Sequence, residues 1–236
     1  HPEVLYLVTP AETLAQQGRW KQFYKFPWLN SSDVMMVPSW VPDTVWYQIM
    51  PDRFCRSSTA KTRLFLKNWN DRSKVTGWDF YGGDLKGITQ KLPYLKDLGI
   101  NGIYLLPVFL SNSNHKYNTF DYDQIDPDFG TEVDLKELIS TAHSLGIRVM
   151  LDAVFNHSGT EFFAWKDVWE KGEKSPYFNW FCINEVPFKR HRGSLRDGRY
   201  YGFGFLDSMP KLNTNNPEVT AYFKKRCKYW IENWDI

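Results

Sequence analysis

Arg148-Val149-Met150-Leu151-Asp152-Ala153-Val154-Phe155-Asn156-His157-Ser158 is the stretch that decides the fold. It starts two residues after Gly146, a residue type that suits the end of a helix, and it begins as an almost continuous apolar run. Such a run predicts a parallel strand buried on both faces rather than a half-exposed antiparallel one. Its last residues turn polar at Asn156, His157 and Ser158, and one carboxylate, Asp152, lies inside it. In α/β proteins ligands are bound where strands end and loops begin. The polar end of this apolar strand is therefore a candidate site.

The same pattern recurs upstream. Val45-Trp46-Tyr47-Gln48-Ile49-Met50 reads as a strand ended by Pro51, and Gly102-Ile103-Tyr104-Leu105-Leu106-Pro107-Val108 as a second. Between them Leu85, Ile88, Leu92, Leu95 and Leu98 keep helical spacing, with Asp84 as N-cap and Gly99 just past the end. Pro93 interrupts that helix and predicts a kink or a restarted turn. A second helix, capped by Thr131, buries Leu135, Leu138, Ile139, Ala142 and Leu145. Strand, helix, strand, helix, strand is the order that parallel crossover connections produce. The chain is thus read as α/β.

The flanks are less regular. Residues 1–40 read as the tail of a preceding domain plus a linker, because the prolines of Pro38-Ser39-Trp40-Val41-Pro42 exclude regular helix or inner strand. Residues 41–155 carry the three strands and two helices. Asp52 and Arg53, at the lip of the first strand, are expected chiefly to pair with each other and shape the loop. Cys55–Gly83 and Ser111–Asp128 read as long loops, the second bearing Asn114, His115, Tyr117, Asp121, Tyr122 and Asp123. Residues 156–215 form an inserted subdomain, since Phe162–Tyr201 is aromatic and basic without clear period. A further helix begins at Asn216-Pro217 and buries Val219, Tyr222, Phe223, Cys227, Trp230, Ile231 and Trp234, with Asp235-Ile236 expected to enter a fourth strand.

Composition narrows the function. Of 236 residues 42% are hydrophobic, and the net charge is +2 without a long basic cluster, which argues against nucleic-acid or membrane-surface roles. No run has membrane-spanning length, and no basic-then-apolar signal segment is seen. Cys55, Cys182 and Cys227 are few, odd in number and far apart, which fits a reducing compartment and predicts a cytoplasmic protein. The same usage argues against glycosylation of the sequons Asn30-Ser31-Ser32 and Asn156-His157-Ser158. A chain starting at His1 is expected to be processed or part of something longer. Aromatics make up 17%, enough either to fill a core or to offer platforms for sugar rings. Gly82-Gly83 lacks the spacing of a phosphate cradle, and Gly202-Phe203-Gly204 lacks a nucleotide fingerprint's third glycine.

Taken in order, these residues resemble a known family. Asp152-Ala153-Val154-Phe155-Asn156-His157 is similar to the first sequence region of the α-amylase family of glycoside hydrolases. Trp46-Tyr47-Gln48-Ile49, Gly82-Gly83-Asp84-Leu85 and His115-Lys116-Tyr117-Asn118-Thr119 agree. Met209-Pro210-Lys211-Leu212-Asn213 resembles the signature of the neopullulanase, cyclomaltodextrinase and maltogenic amylase subgroup. The resemblance, from about Pro27 to Ile236, implies the first three βα units of a TIM (β/α)₈ barrel, with 156–215 as its inserted B domain and 216–236 as helix three and the start of strand four: an incomplete barrel. It implies retaining hydrolysis of α-glucosidic bonds in cyclodextrins, pullulan, starch or maltooligosaccharides, chemistry that needs two carboxyl groups roughly 5–5.5 Å apart.

By the same resemblance Tyr117 is a platform under the sugar ring, His157 hydrogen-bonds that ring's primary hydroxyl, and Asp152 braces the site. The nucleophilic Asp, its neighbouring Arg, the acid Glu and a third carboxylate belong to strands four, five and seven. No catalytic residue is therefore expected in this chain, which alone is predicted inactive. Asn156 corresponds to a calcium ligand in some α-amylases. The subgroup's other calcium site falls on Cys55-Arg56-Ser57-Ser58-Thr59-Ala60-Lys61, which has no carboxylate, so no metal and no cofactor are predicted. The expected partners are α-glucan oligosaccharides. Self-association through strand edges or the exposed barrel interior is also expected. Two rivals stand beside this: a non-catalytic amylase-like sugar-binding or interaction protein, and an enzyme using its own acids such as Asp52 and Asp152.

Overall fold

The computed structural model describes residues 6–8, 23–25, 36–60, 65–188 and 199–236. The chain divides into two compact units, His1–Asp43 and Thr44–Ile236. In the first, β1 (Tyr6–Val8) pairs antiparallel with β2 (Phe23–Lys25). The helix-like piece around Ala11–Gln17, most of the aromatic stretch Trp20–Trp28 and the Asn30 sequon lie outside the described residues. Pro38–Pro42 forms a turn, with the Val41 amide donating to the Pro38 carbonyl at 3.0 Å.

The second unit is organised by three parallel strands, β3 (Trp46–Ile49), β4 (Gly102–Leu105) and β7 (Arg148–Leu151), in the order β3-β4-β7. In register, Tyr47, Ile103 and Val149 lie side by side, as do Ile49, Leu105 and Leu151. The two-residue period of a strand puts these six on one face. Helices α1 (Leu85–Asp97) and α2 (Glu132–Ser144) cover that face through Leu85, Ile88, Leu92, Leu95, Leu135, Leu138, Ile139 and Ala142. Each such aliphatic side chain contributes about 1.5–3 kcal/mol on burial. The opposite face carries Trp46, Gln48, Tyr104, Arg148 and Met150. Here the sequence misleads: β7 is not buried on both faces, and Met150 is 43% exposed. A continuous apolar run reports two apolar faces, but the described residues cover only one of them.

Local packing explains the Gly82-Gly83-Asp84-Leu85 motif. Asp84 caps α1, accepting from the Gly87 amide at 2.8 Å, the Ser57 amide at 2.9 Å and the Ser57 hydroxyl at 2.5 Å. A Cβ on Gly83 or Gly87 would collide with the Pro51 or Cys55 carbonyl oxygen, so only glycine lets the helix start press against the turn after β3. Within that turn Asp52 is buried and accepts from the Tyr81 and Gly82 amides at 3.0–3.2 Å, with Arg53 at 3.6 Å. Asp52 is thus a loop-former, as its pairing with Arg53 predicts. Burial raises its pKa, against the pull of the two amides.

Several elements differ from expectation. Helix α1 runs unbroken through Pro93, which is exposed on its outer side. Leu98 is the C-cap of α1 and is 54% exposed, not part of the stripe. The loop Ser111–Asp128 contains β6 (Asp121–Ile125), which pairs antiparallel with β5 (Phe109–Leu110). The irregular stretch after His157 contains α3 (Phe163–Lys171), too short and too uniformly aromatic for its period to stand out. Helix α4 (Pro217–Trp234) buries Val219, Phe223, Trp230 and Trp234, but Ile231 faces outward. Asp235 ends α4 in a left-handed conformation, φ 58°, and Asp235-Ile236 is not strand.

Because Asp84 serves three donors, Asp84→Ala is expected to destabilise the chain by about 2–3 kcal/mol, a lost cap plus orphaned Ser57 groups. Urea unfolding of the purified chain checks this, and Asp84→Asn should recover part of the loss.

Candidate functional site

Ladder bonding continues one residue beyond β7, with the Asp152 amide donating to the Leu105 carbonyl at 2.9 Å. Asp152 therefore projects on the same face as Tyr104 and Met150. The Tyr104 and Tyr117 hydroxyls both donate to its Oδ2 atom, Tyr117 at 2.9 Å. Burial and the carboxylate together push the Tyr117 pKa up to about 12 and raise that of Tyr104 further. Both phenols hold their protons at any ordinary pH, and a single carboxylate oxygen collects them.

Tyr117 reaches this position from a tightly held loop. Lys116, fully buried with φ 58°, places its ammonium 2.8 Å from Asp126, 2.9 Å from Asp128 and 3.1 Å from the Ser111 carbonyl. His115 Nδ1 accepts from the Tyr117 amide at 3.1 Å, which leaves the ring proton on Nε2. Asn114 Nδ2 donates to the Gly77 and Asp79 carbonyls, both at 2.8 Å, tying the loop to the segment before α1.

His157 is set by the next turn of chain. Buried Tyr122 donates its hydroxyl to the Val154 carbonyl at 2.8 Å and the His157 carbonyl at 3.0 Å. Pro210-Lys211-Leu212 runs alongside, with Ser158 N donating to Pro210 O at 3.1 Å and Leu212 N to Asn156 O at 2.9 Å. The signature Met209–Asn213 thus stitches the inserted segment to the end of the strand. His157 Nδ1 lies 2.8 Å from Asn156 Oδ1, so a neutral ring protonated there presents Nε2 as an acceptor. Among the described residues that Nε2 is buried without a well-formed hydrogen bond, and the Tyr117 backbone is the polar group that faces the ring. Burial lowers the His157 pKa to about 4; the Tyr117 backbone pulls the other way and His115 adds to the drop.

The three residues singled out from sequence are therefore not equally placed. Tyr117 and Asp152 are in direct contact. His157 lies beside the Tyr117 loop but is only 1% exposed, and the Phe203 ring stacks on it at 4.7 Å with planes 4° apart. Three residues join the cluster to which the sequence reading gave no site role, though it named His115 in the loop motif and Tyr104 in the second strand. Tyr104 was detectable from its position on the Asp152 face, and His115 from its place two residues before Tyr117. Phe203 carried no sequence signal, since it arrives from the inserted segment. Among the described residues no three His, Cys, Asp or Glu side chains gather as metal ligands.

A buried, neutral imidazole thus lies next to two hydrogen-bonded phenols at the end of parallel βα units. Residues 48–236 match the family model of the α-amylase catalytic domain. The chain belongs to that family. It is 46% identical over 214 residues to the maltogenic α-amylase of Bacillus acidopullulyticus, a match covering 91% of this chain and 36% of that protein. It is 45% identical over 214 residues to the intracellular maltogenic amylase of Bacillus subtilis, covering 91% and 35%. Among solved structures, the cyclic α-maltosyl-(1→6)-maltose hydrolase of Arthrobacter globiformis, in complex with that saccharide, superposes with a TM-score of 0.76 at 35% identity, covering 84% of this chain and 43% of that one. The chain thus spans little more than a third of the length of the curated relatives it matches.

The His157 pKa gives a sign-definite pH effect. A folded value near 4 below an unfolded value near 6.5 means its contribution is fully present above pH 6.5 and is lost as pH falls toward 4. Between pH 6.5 and 4.5 the chain is expected to lose about 2 kcal/mol more stability than His157→Gln, compared by denaturant titration at both pH values.

Proposed function

We propose that this chain is part of a retaining glycoside hydrolase acting on α-glucosidic bonds of cyclodextrins, pullulan, starch or maltooligosaccharides, and that it supplies the sugar-holding half of the site. The observation that carries the proposal is the pairing of a Tyr104–Asp152–Tyr117 cluster with the orphaned His157 Nε2. A buried acceptor without a partner costs about 1–3 kcal/mol, which a ligand hydroxyl donating to it would return. Tyr117 offers its ring face to a pyranose, His157 takes the primary hydroxyl, and Asp152 fixes Tyr117 from below. Residues 156–215 then act as the inserted B domain that closes over His157.

Asp152 is the carboxylate on which this cluster converges, whereas double displacement at an anomeric carbon needs two carboxyl groups roughly 5–5.5 Å apart. The chain by itself is accordingly a binder rather than a catalyst. Its names among relatives favour α-glucans: one is a maltogenic amylase, another an intracellular maltogenic amylase. The second name and the three unpaired cysteines support a cytoplasmic location. No helix of the described residues is long and apolar enough to cross a membrane. The uncovered face of β3-β4-β7, with Trp46 and Met150 exposed and edge strands on both sides, supports self-association.

Titration calorimetry of the purified chain with maltotriose tests the reading. Binding is expected, weakened at least tenfold by Tyr117→Ala, with no reducing sugar released from cyclodextrin. Absence of binding overturns the half-site, and release of reducing sugar overturns the division of labour. Sedimentation velocity is expected to show association that Met150→Lys reduces, and a concentration-independent monomer would refute the open-face proposal.

A further inference from the structure

Resting on that reading, a second aromatic position stands out in the segment that Asn114 ties to the Tyr117 loop. Trp78 is 87% exposed and makes no ring contact among the described residues. An indole left bare in water usually sits on a mobile segment, where exposure costs little order. The backbone around Trp78 is the opposite. Its amide donates to Thr76 Oγ1 at 3.3 Å, and Asp79 Oδ2 accepts from the Thr76 amide at 2.6 Å. Arg53 donates to the Thr76 and Asp79 carbonyls, each at 3.0 Å, and Asn114 holds the Gly77 and Asp79 carbonyls at 2.8 Å. Two side chains from elsewhere in the fold thus pin both flanks of a turn whose tip is a free indole. A large flat surface held in advance loses little conformational entropy on contact.

Place and charge say what it would contact. Asn114 lies three residues before Tyr117, so at most about 11 Å of backbone separates the clamping residue from the Tyr117 Cα atom. Next to the indole Asp79 is paired with Lys67 at 3.1 Å, so no unpaired charge stands at Asp79. A neutral ligand with an apolar ring face fits this surface better than a phosphate or a nucleic acid. We propose that Trp78 is a secondary stacking platform for a glucose ring of the same α-glucan, remote from the ring held at Tyr117. Gly77, open to solvent with no atom near a Cβ position, keeps the approach to the indole clear.

Maltose, maltotriose and maltoheptaose, titrated against the full chain, Trp78→Ala, Trp78→Phe and Tyr117→Ala, test this. Trp78→Ala is expected to weaken maltoheptaose about fivefold, as loss of one aromatic stacking contact would, and to leave maltose unchanged. Trp78→Phe should restore most of the loss, and Tyr117→Ala should weaken all three ligands. Equal affinity of Trp78→Ala and the parent chain for maltoheptaose would overturn the platform while leaving the Tyr117 reading intact. Uniform weakening of all lengths by Trp78→Ala would also overturn it, assigning Trp78 to loop structure. Maltoheptaose binding that survives Tyr117→Ala but not Trp78→Ala would keep the platform and refute the phenol site.

Discussion

The site depends most on a buried ammonium. Lys116 is enclosed among Asp126, Asp128 and the Ser111 carbonyl, and its backbone is left-handed, a conformation that costs an L-residue roughly 1–2 kcal/mol. Removing one partner of such a buried cluster leaves charge uncompensated, at a penalty of about 3–5 kcal/mol. The side chain therefore fixes an otherwise unfavourable backbone turn. Its consequence is geometric: the turn carries His115 on one side and Tyr117 on the other, and returns the Tyr117 phenol to Asp152. Without the ammonium the same residues would have no reason to converge on β7.

That anchoring works because the sheet is one-sided. Helices α1 and α2 take the apolar face of β3, β4 and β7, so every second side chain is free to turn the other way. Tyr104 and Asp152 are two of those. The arrangement divides each strand: odd positions are packed under the helices, and even positions face the other way. The Gly83 and Gly87 contacts with the β3 turn do the same at the strand's lip, where close packing rather than phosphate binding explains the glycines.

How much of this was legible in the sequence follows from the range of each interaction. The individual strands and helices, both helix caps and the Asp52–Arg53 pair rest on residues close in sequence, and their spacing gave them away. The contact of Tyr117 with Asp152 spans 35 residues, and only resemblance to a family linked them. Phe203 over His157 spans further and had no local pattern. The two-faced burial expected of β7 failed for a different reason. Apolar residues record what a face prefers, and whether anything covers it depends on residues elsewhere.

His157 shows how that long-range contact shapes the chemistry. Its ring is withdrawn from water, with Phe203, itself half exposed, stacked on one face. Withdrawal keeps the ring neutral well below its ordinary titration range. The phenols of Tyr104 and Tyr117 hold their protons for the same reason, low solvent access beside a carboxylate. Groups that neither gain nor lose protons between pH 5 and 8 cannot discriminate ligands by charge switching. The donors and acceptors they present therefore stay the same across that range.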